Sequence, residues 1–183
     1  MKRLARSSFV VVLVGWSGIA AAQQPDLVFA SRSYSTDRYC ANDGAGSFTC
    51  SDFGFSGTDA VALEDMDGSN GVDAVFAVPG WRNNVCLNDG AASFTCTEVS
   101  LDANDSYGVA LGDADGDGDI DAFFANDDGP HRACLNDGAV SFTCEDIGSD
   151  VIDSRAVATI PPWNFCDGFE SGDTTRWTRT ELE

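Results

Sequence analysis

A chain of 183 residues with 30 acidic and 10 basic side chains carries a formal charge of −20. Nucleic acid and anionic lipid are held by basic surface, so this balance argues against both as partners and points to cations instead. The chain has one histidine, His131, and no Gly-x-Ser-x-Gly elbow, which leaves little of the usual apparatus of a hydrolase.

The N-terminus reads as an export signal. Lys2, Arg3 and Arg6 form a basic region, residues 9–19 an apolar one, and Ala20-Ala21-Ala22 a small-residue cleavage site. Residues 1–22 are therefore expected to be a secretory signal peptide, cut before Gln23 and outside the folded domain. The apolar run is shorter than the roughly 20 residues a spanning helix needs. Cleavage would leave 183 − 22 = 161 residues and, with three basic residues gone, a charge of −23. That is the size of one ordinary domain. The expected location is secreted, periplasmic or cell-surface, with no membrane attachment after cleavage.

Residues 23–160 are built from a repeat. Cys40-Ala-Asn-Asp-Gly-Ala-Gly-Ser-Phe-Thr-Cys50 returns as Cys86-Leu-Asn-Asp-Gly-Ala-Ala-Ser-Phe-Thr-Cys96 and as Cys134-Leu-Asn-Asp-Gly-Ala-Val-Ser-Phe-Thr-Cys144, at steps of 46 and 48 residues. Asp26-Leu-Val-Phe-Ala30, Asp73-Ala-Val-Phe-Ala77 and Asp121-Ala-Phe-Phe-Ala125 keep a similar step. Three units follow, over about 26–72, 73–120 and 121–160, and a repeat of this length implies a stacked or radial array. Each unit reads as four short strands; one set is 107–111, 122–126, 132–136 and 141–146. They are rich in Val, Phe or Leu and bounded by Gly, Asn and Asp. No segment keeps a 3.6-residue apolar period, so helix is not expected. Asn-Asp-Gly is a hairpin turn, because these residues tolerate positive φ. It brings the cysteines of each pair together, and export supplies the oxidising compartment for disulfides 40–50, 86–96 and 134–144.

Between the first two strands of one unit lies Asp113-Ala-Asp115-Gly-Asp117-Gly-Asp119-Ile-Asp121. Five carboxylates so close repel one another, and calcium, which takes six to eight oxygen ligands, would turn that cost into binding. Asp113, Asp115 and Asp117 stand at positions 1, 3 and 5, and Gly118 permits the turn. Asp119 offers its backbone carbonyl and Asp121 closes the shell. An EF-hand would need Glu at position 12 and flanking helices; Phe124 stands there and both flanks read as strand. A sister loop supplies Asp65, Asp67, Ser69, Gly71 and Asp73, with Ser69 in place of an acid and Asn70 at the turn. One charge fewer predicts weaker binding. The third unit reads Pro161-Pro162-Trp163 where its loop should begin, so no third site of this kind is expected.

The run from Gly108 through Asp121, followed by Asn136, Gly138 and Phe142 in the hairpin, resembles the FG-GAP/VCBS repeat of integrin α-subunit propellers and many secreted bacterial proteins. The resemblance covers residues 26–160. It implies an all-β fold of three four-stranded propeller-type blades, a partial or small β-propeller, with Ca2+ in the loop joining the first two strands of a blade. It also implies adhesive or ligand-binding roles toward an extracellular protein or glycan. Paired cysteines on the hairpins are not general to that family.

Propellers have four to eight blades, and this chain holds three. The end strand at 156–160 is expected to complete the blade begun at the N-terminus. An open arc would leave apolar faces exposed at its ends and favour self-association. The tail over 161–183, with the odd Cys166, is expected to be flexible. The leading functional expectation is a secreted calcium-binding module for adhesion or binding, not an enzyme. A remnant of a longer propeller and a secreted hydrolase are the other two readings.

Overall fold

The computed structural model describes residues 9–13, 26–32, 35–69, 71–91, 93–148 and 153–159. They form three four-stranded antiparallel sheets. The first holds β1 (Phe9–Leu13), β2 (Leu27–Ser31), β3 (Thr36–Asn42) and β4 (Phe48–Ser56) in that order. The middle sheet holds β5 (Ala60–Glu64), β6 (Asp73–Ala77), β7 (Asn84–Asn88) and β8 (Phe94–Glu98). The last holds β9 (Asp105–Gly112), β10 (Asp121–Asp127), β11 (His131–Asn136) and β12 (Phe142–Ile147). The fold is all-β, as the strand-length apolar runs and turn residues predict.

Each repeat contributes the same three strands from its Asp-x-x-Phe-Ala segment through the second cysteine. The strand before that segment pairs with it, as Ala62 with Val75 and Ala110 with Phe123. The structural units therefore begin one strand earlier than units counted from Asp26, Asp73 and Asp121.

Three sheets enclose two cores. Val28, Ala30 and Tyr39 of the first sheet meet Ala74, Phe76 and Cys86 of the middle one. The other face of the middle sheet, Val75, Ala77 and Val85, meets Ala122, Phe124 and Cys134 of the last. Neighbouring residues of β6 thus face opposite cores, which is why all five are buried. The first core is aromatic: Phe53 packs edge-on to Phe76 and Phe94, with ring centroids 5.0 and 4.9 Å apart. Such pairs contribute about 0.5–1.5 kcal/mol beyond area burial. Among the described residues the row of sheets does not close into a ring.

The cysteine pairs are disulfides across directly opposed positions of neighbouring strands: Cys40–Cys50, Cys86–Cys96 and Cys134–Cys144. Each closes a short loop, worth about 2–3 kcal/mol in the chain-entropy account. Three disulfides fit an oxidising compartment. Among the described residues no helix is long and apolar enough to cross a membrane.

At the two ends the structure adds to one expectation and corrects another. Residues 9–13, read as part of a leader outside the fold, are β1 in the full chain, paired with β2 from Phe9 opposite Ser31 to Leu13 opposite Leu27. The place reserved for 156–160 is thereby taken. A Phe-Val-Val-Val-Leu run satisfies the edge of β2 as readily as a repeat strand would, because apolar β-branched residues suit a pleated surface whatever their origin. Residues 153–159 have no regular secondary structure and lie beside β9 instead. The Thr159 hydroxyl donates to the Leu111 carbonyl at 2.8 Å. Asn70, Ile160, Cys166 and the rest of the 161–183 tail lie outside the described residues.

Candidate metal centre

Loop 113–120 connects β9 to β10, so both of its ends are fixed by paired strands. Its carboxylates curl the backbone. Asp113 Oδ1 accepts from Gly116 N at 2.7 Å and its Oδ2 from Gly118 N at 3.2 Å. Asp115 accepts from Asp117 N, and Asp117 from Asp119 N. Gly116 and Gly118 take φ of 82° and 97°, where a Cβ would be strained. The result gathers Asp113, Asp115 and Asp117, each with a carboxylate oxygen within 4.8 Å of the others, on an exposed loop. An all-oxygen trio of this kind can hold a metal ion, although exposed acidic groups are also common without one. The Asp117 N–H pulls Asp115 down, but burial and the Asp117 and Asp121 carboxylates outweigh it and leave Asp115 above its ordinary value.

The remaining acids of this loop are placed differently. The Asp119 carboxylate lies over the hairpin turn: a Cβ at Gly138 would stand 2.5 Å from Asp119 Oδ2. Asp121 is fully buried. Its Oδ2 accepts from Ala114 N at 2.7 Å and its Oδ1 from Asn136 N at 2.9 Å. It ties the loop to the hairpin turn of its own sheet. Asn136 Nδ2 in turn donates to the Met66 carbonyl at 2.9 Å, in the corresponding loop of the middle sheet.

The sister loop repeats this arrangement with one difference. Asp73 accepts from Met66 N and Asn88 N, both at 2.8 Å. Burial raises its pKa, the two N–H donors oppose that, and Asp67 and Asp65 add to it. Here the buried acid joins the cluster: Asp65, Asp67 and Asp73 bring carboxylate oxygens within 4.8 Å. Asp67 accepts from Ser69 N at 2.9 Å. Gly71 is required by close approach, since a Cβ there would stand 2.6 Å from the Asn88 carbonyl oxygen. Asp26 holds the same place in the first sheet, with Oδ1 accepting from Asn42 N at 2.7 Å and Oδ2 from the Tyr39 hydroxyl at 2.5 Å.

Sequence reasoning missed a second row of equivalent residues. Asp37 Oδ1, Asn83 Oδ1 and His131 Nδ1 accept from Ser31 N, Val78 N and Asn126 N at 2.5, 2.9 and 3.2 Å. All three close the turn after the second strand of a sheet. Their signal was position, five or six residues beyond the N–H that each accepts from, not residue type. A hydroxyl from the next unit completes two of them: Thr58 donates to Asp37, and Ser106 accepts from Asn83 Nδ2. A third acidic group, Asp127, Asp128 and Asp153, also brings oxygens within 4.8 Å, at the opposite end of β10 from the 113–120 loop. Arg155 already answers Asp127 at 2.7 Å.

Asp37 gives a pH prediction. Burial pushes its carboxyl up from 3.8 to about 6, against the pull of the Thr58 hydroxyl and the Ser31 N–H. A folded pKa above the unfolded one means the native state holds the proton more tightly. The stabilising contribution is then full below the unfolded value near 4 and is lost as pH rises through about 6. Asp37→Asn should therefore gain stability relative to the parent between pH 4.5 and 7, by no more than about 3 kcal/mol. Thermal melts in chelator at the two pH values measure it, and parallel changes in both proteins would refute it.

A groove of roughly 630 Å3 lies where the first two sheets meet, lined by Phe55, Val78, Trp81, Arg82, Asn84 and Glu98 among others. Trp81 is 74 % exposed beside it, and Arg82 pairs with Glu98 at 2.6 Å. No protein-family model matches the chain, and no curated protein matches it either.

Proposed function

We propose that this chain is a secreted calcium-binding β-repeat protein, a small or partial propeller that serves as a binding or adhesion module. The observation that carries the reading is the Asp113, Asp115 and Asp117 trio on a loop between two paired strands. Its donors are oxygen only, which suits a hard cation, and its exposed, glycine-hinged loop suits the flexible geometry calcium accepts. Asp65, Asp67 and Asp73, with Ser69 and Gly71 in the same loop, supply a second and weaker site. Calcium in either place joins the first two strands of a sheet and is structural.

The FG-GAP/VCBS resemblance supports this reading, and so do three four-stranded antiparallel sheets. A non-catalytic role fits His131, whose Nδ1 is engaged in closing a turn. The groove at Trp81 is the surface for an extracellular protein or glycan: a flat exposed aromatic stacks on a sugar or an apolar side chain, and Arg82, Asn84 and Glu98 supply hydrogen bonds. Native mass spectrometry of the exported protein should find one or two calcium ions that leave with chelator. Asp113→Ala should lower that number by one, and a protein that carries no ion at millimolar calcium would overturn the reading.

A further inference from the structure

The middle sheet shows what each face of a unit is built to meet, and the two end sheets each lack one neighbour. Ala74 and Phe76 of the middle sheet are fully buried against the first sheet, while Val75 and Val85 are fully buried against the last. In the first sheet the residues equivalent to Ala74 and Phe76 are Leu27 and Phe29, which face away from the middle sheet and are only half-buried. In the last sheet the residues equivalent to Val75 and Val85 are Phe123 and Ala133, again half-buried on the outward side. The exposed face at one end therefore has the composition that the face at the other end is made to cover.

A strand is missing in the same sense. Asp102-Ala-Asn-Asp-Ser-Tyr-Gly-Val-Ala110 leads into and forms β9, and Asp150-Val-Ile-Asp-Ser-Arg-Ala-Val-Ala158 repeats it. Residues 153–159 begin a fourth unit. Ser154 N donates to the Asn126 carbonyl at 3.4 Å, much as Gly57 N, leading into the middle sheet, donates to the Ser31 carbonyl of the first at 2.9 Å. A Cβ on Gly108 would stand 2.9 Å from Ala156 Cα, so the segment runs close along β9. Its pairing partner, a strand equivalent to β6 or β10, does not follow it in the described residues. The strand that lacks a repeat-type partner is β2, whose neighbour here is the leader segment β1. Ala60, Val61, Ala62 and Leu63 oppose Ala77, Phe76, Val75 and Ala74. The same register sets Ala156, Val157, Ala158 and Thr159 opposite Ala30, Phe29, Val28 and Leu27.

We infer that, once residues 1–22 are removed, two copies of this chain join head to tail, with residues 156–159 of each pairing with β2 of the other. This rests on the reading of the leader as cleaved. A heterologous contact of this kind forms a closed ring only if its rotation closes. Two copies give 3 + 3 = 6 sheets, the only multiple of three within the four to eight of closed radial folds. Charge agrees. Arg132 bridges Asp146 of its own sheet and Asp102 of the preceding connection, both at 2.5 Å. Arg38 is its equivalent in the first sheet and pairs with Asp52. Asp150 holds in the repeat the position that Asp102 holds, an acid that would answer Arg38 of the other copy.

The test uses the full gene, exported, with the product's start fixed by intact mass. Light scattering should give twice the chain mass for a product beginning at Gln23, and Arg38→Glu should shift it to one chain. Leu27→Cys with Thr159→Cys, in a Cys166→Ser background, should give a covalent two-chain species on a non-reducing gel. Two results overturn the exchange itself: a one-chain mass for a product beginning at Gln23, or an engineered disulfide that forms only within one chain. A product that retains residues 9–13 and runs as one chain overturns instead the cleavage on which it rests.

Discussion

Calcium at a hundredfold excess over its dissociation constant should raise the melting temperature of the exported protein by about 5–10 °C. Binding to the native state alone stabilises by RT ln(1 + [L]/Kd), about 2.7 kcal/mol at that excess. For a domain of this size each kcal/mol moves the midpoint by about 2–4 °C. Asp113→Ala should abolish most of the shift. It should leave the melt in chelator unchanged or slightly higher, because Asp113 is exposed and its departure relieves repulsion from Asp115 and Asp117. The N–H groups of Gly116 and Gly118 that it accepts from are on the same exposed loop, where water replaces it. The corresponding change at Asp65 should remove a smaller shift that appears at higher calcium. Superimposable melts in calcium and in chelator would sink the metal reading.

The division between what the sequence showed and what it hid follows from what each residue type can signal. A ten-residue cysteine spacing around Asn-Asp-Gly has essentially one geometry, a tight hairpin with the two cysteines opposed, and the disulfides appear there. Strand-length apolar runs between turn residues gave the sheets. The fate of Phe9–Leu13 was illegible, because the apolar core of a leader and a buried strand have the same local pattern. Which of two apolar segments fills the place beside β2 depends on which is present and within reach. His131 stood out in the sequence only as the one histidine, because its row-mates are Asp37 and Asn83; the shared property is a side-chain acceptor at one step of the repeat, not an imidazole. Asp121 was read as the acid that closes a metal shell. A clue to its other role was already in the chain: Asp26 holds the same repeat position with no acidic loop before it. An acid kept where no metal loop precedes it has backbone to hold.

That second role predicts the largest loss of stability in the molecule from one substitution. Asp121→Ala should cost about 2–4 kcal/mol and lower the melting temperature by about 5–15 °C, in chelator as well as in calcium. The carboxylate is fully buried and accepts from Ala114 N and Asn136 N. Removing it leaves the buried Asn136 N–H without a partner, at about 1–3 kcal/mol, while the Ala114 N–H on the exposed loop turns to water at a smaller cost. Asn136 is only 3 % exposed, so water cannot easily take over. The damage should spread across the sheet boundary, because Asn136 also holds the Met66 carbonyl of the middle sheet. Asp121→Asn keeps one acceptor oxygen and should lose about half as much. Asp26→Ala decides between the two roles. Asp26 makes the same kind of bonds, to Asn42 N and the Tyr39 hydroxyl, and has no acidic loop before it. If these aspartates hold the hairpins directly, Asp26→Ala destabilises the protein with no change in its calcium response, while Asp121→Ala loses both. If Asp121 acts only through the ion, Asp26→Ala is harmless, and Asp121→Ala in chelator melts with the parent.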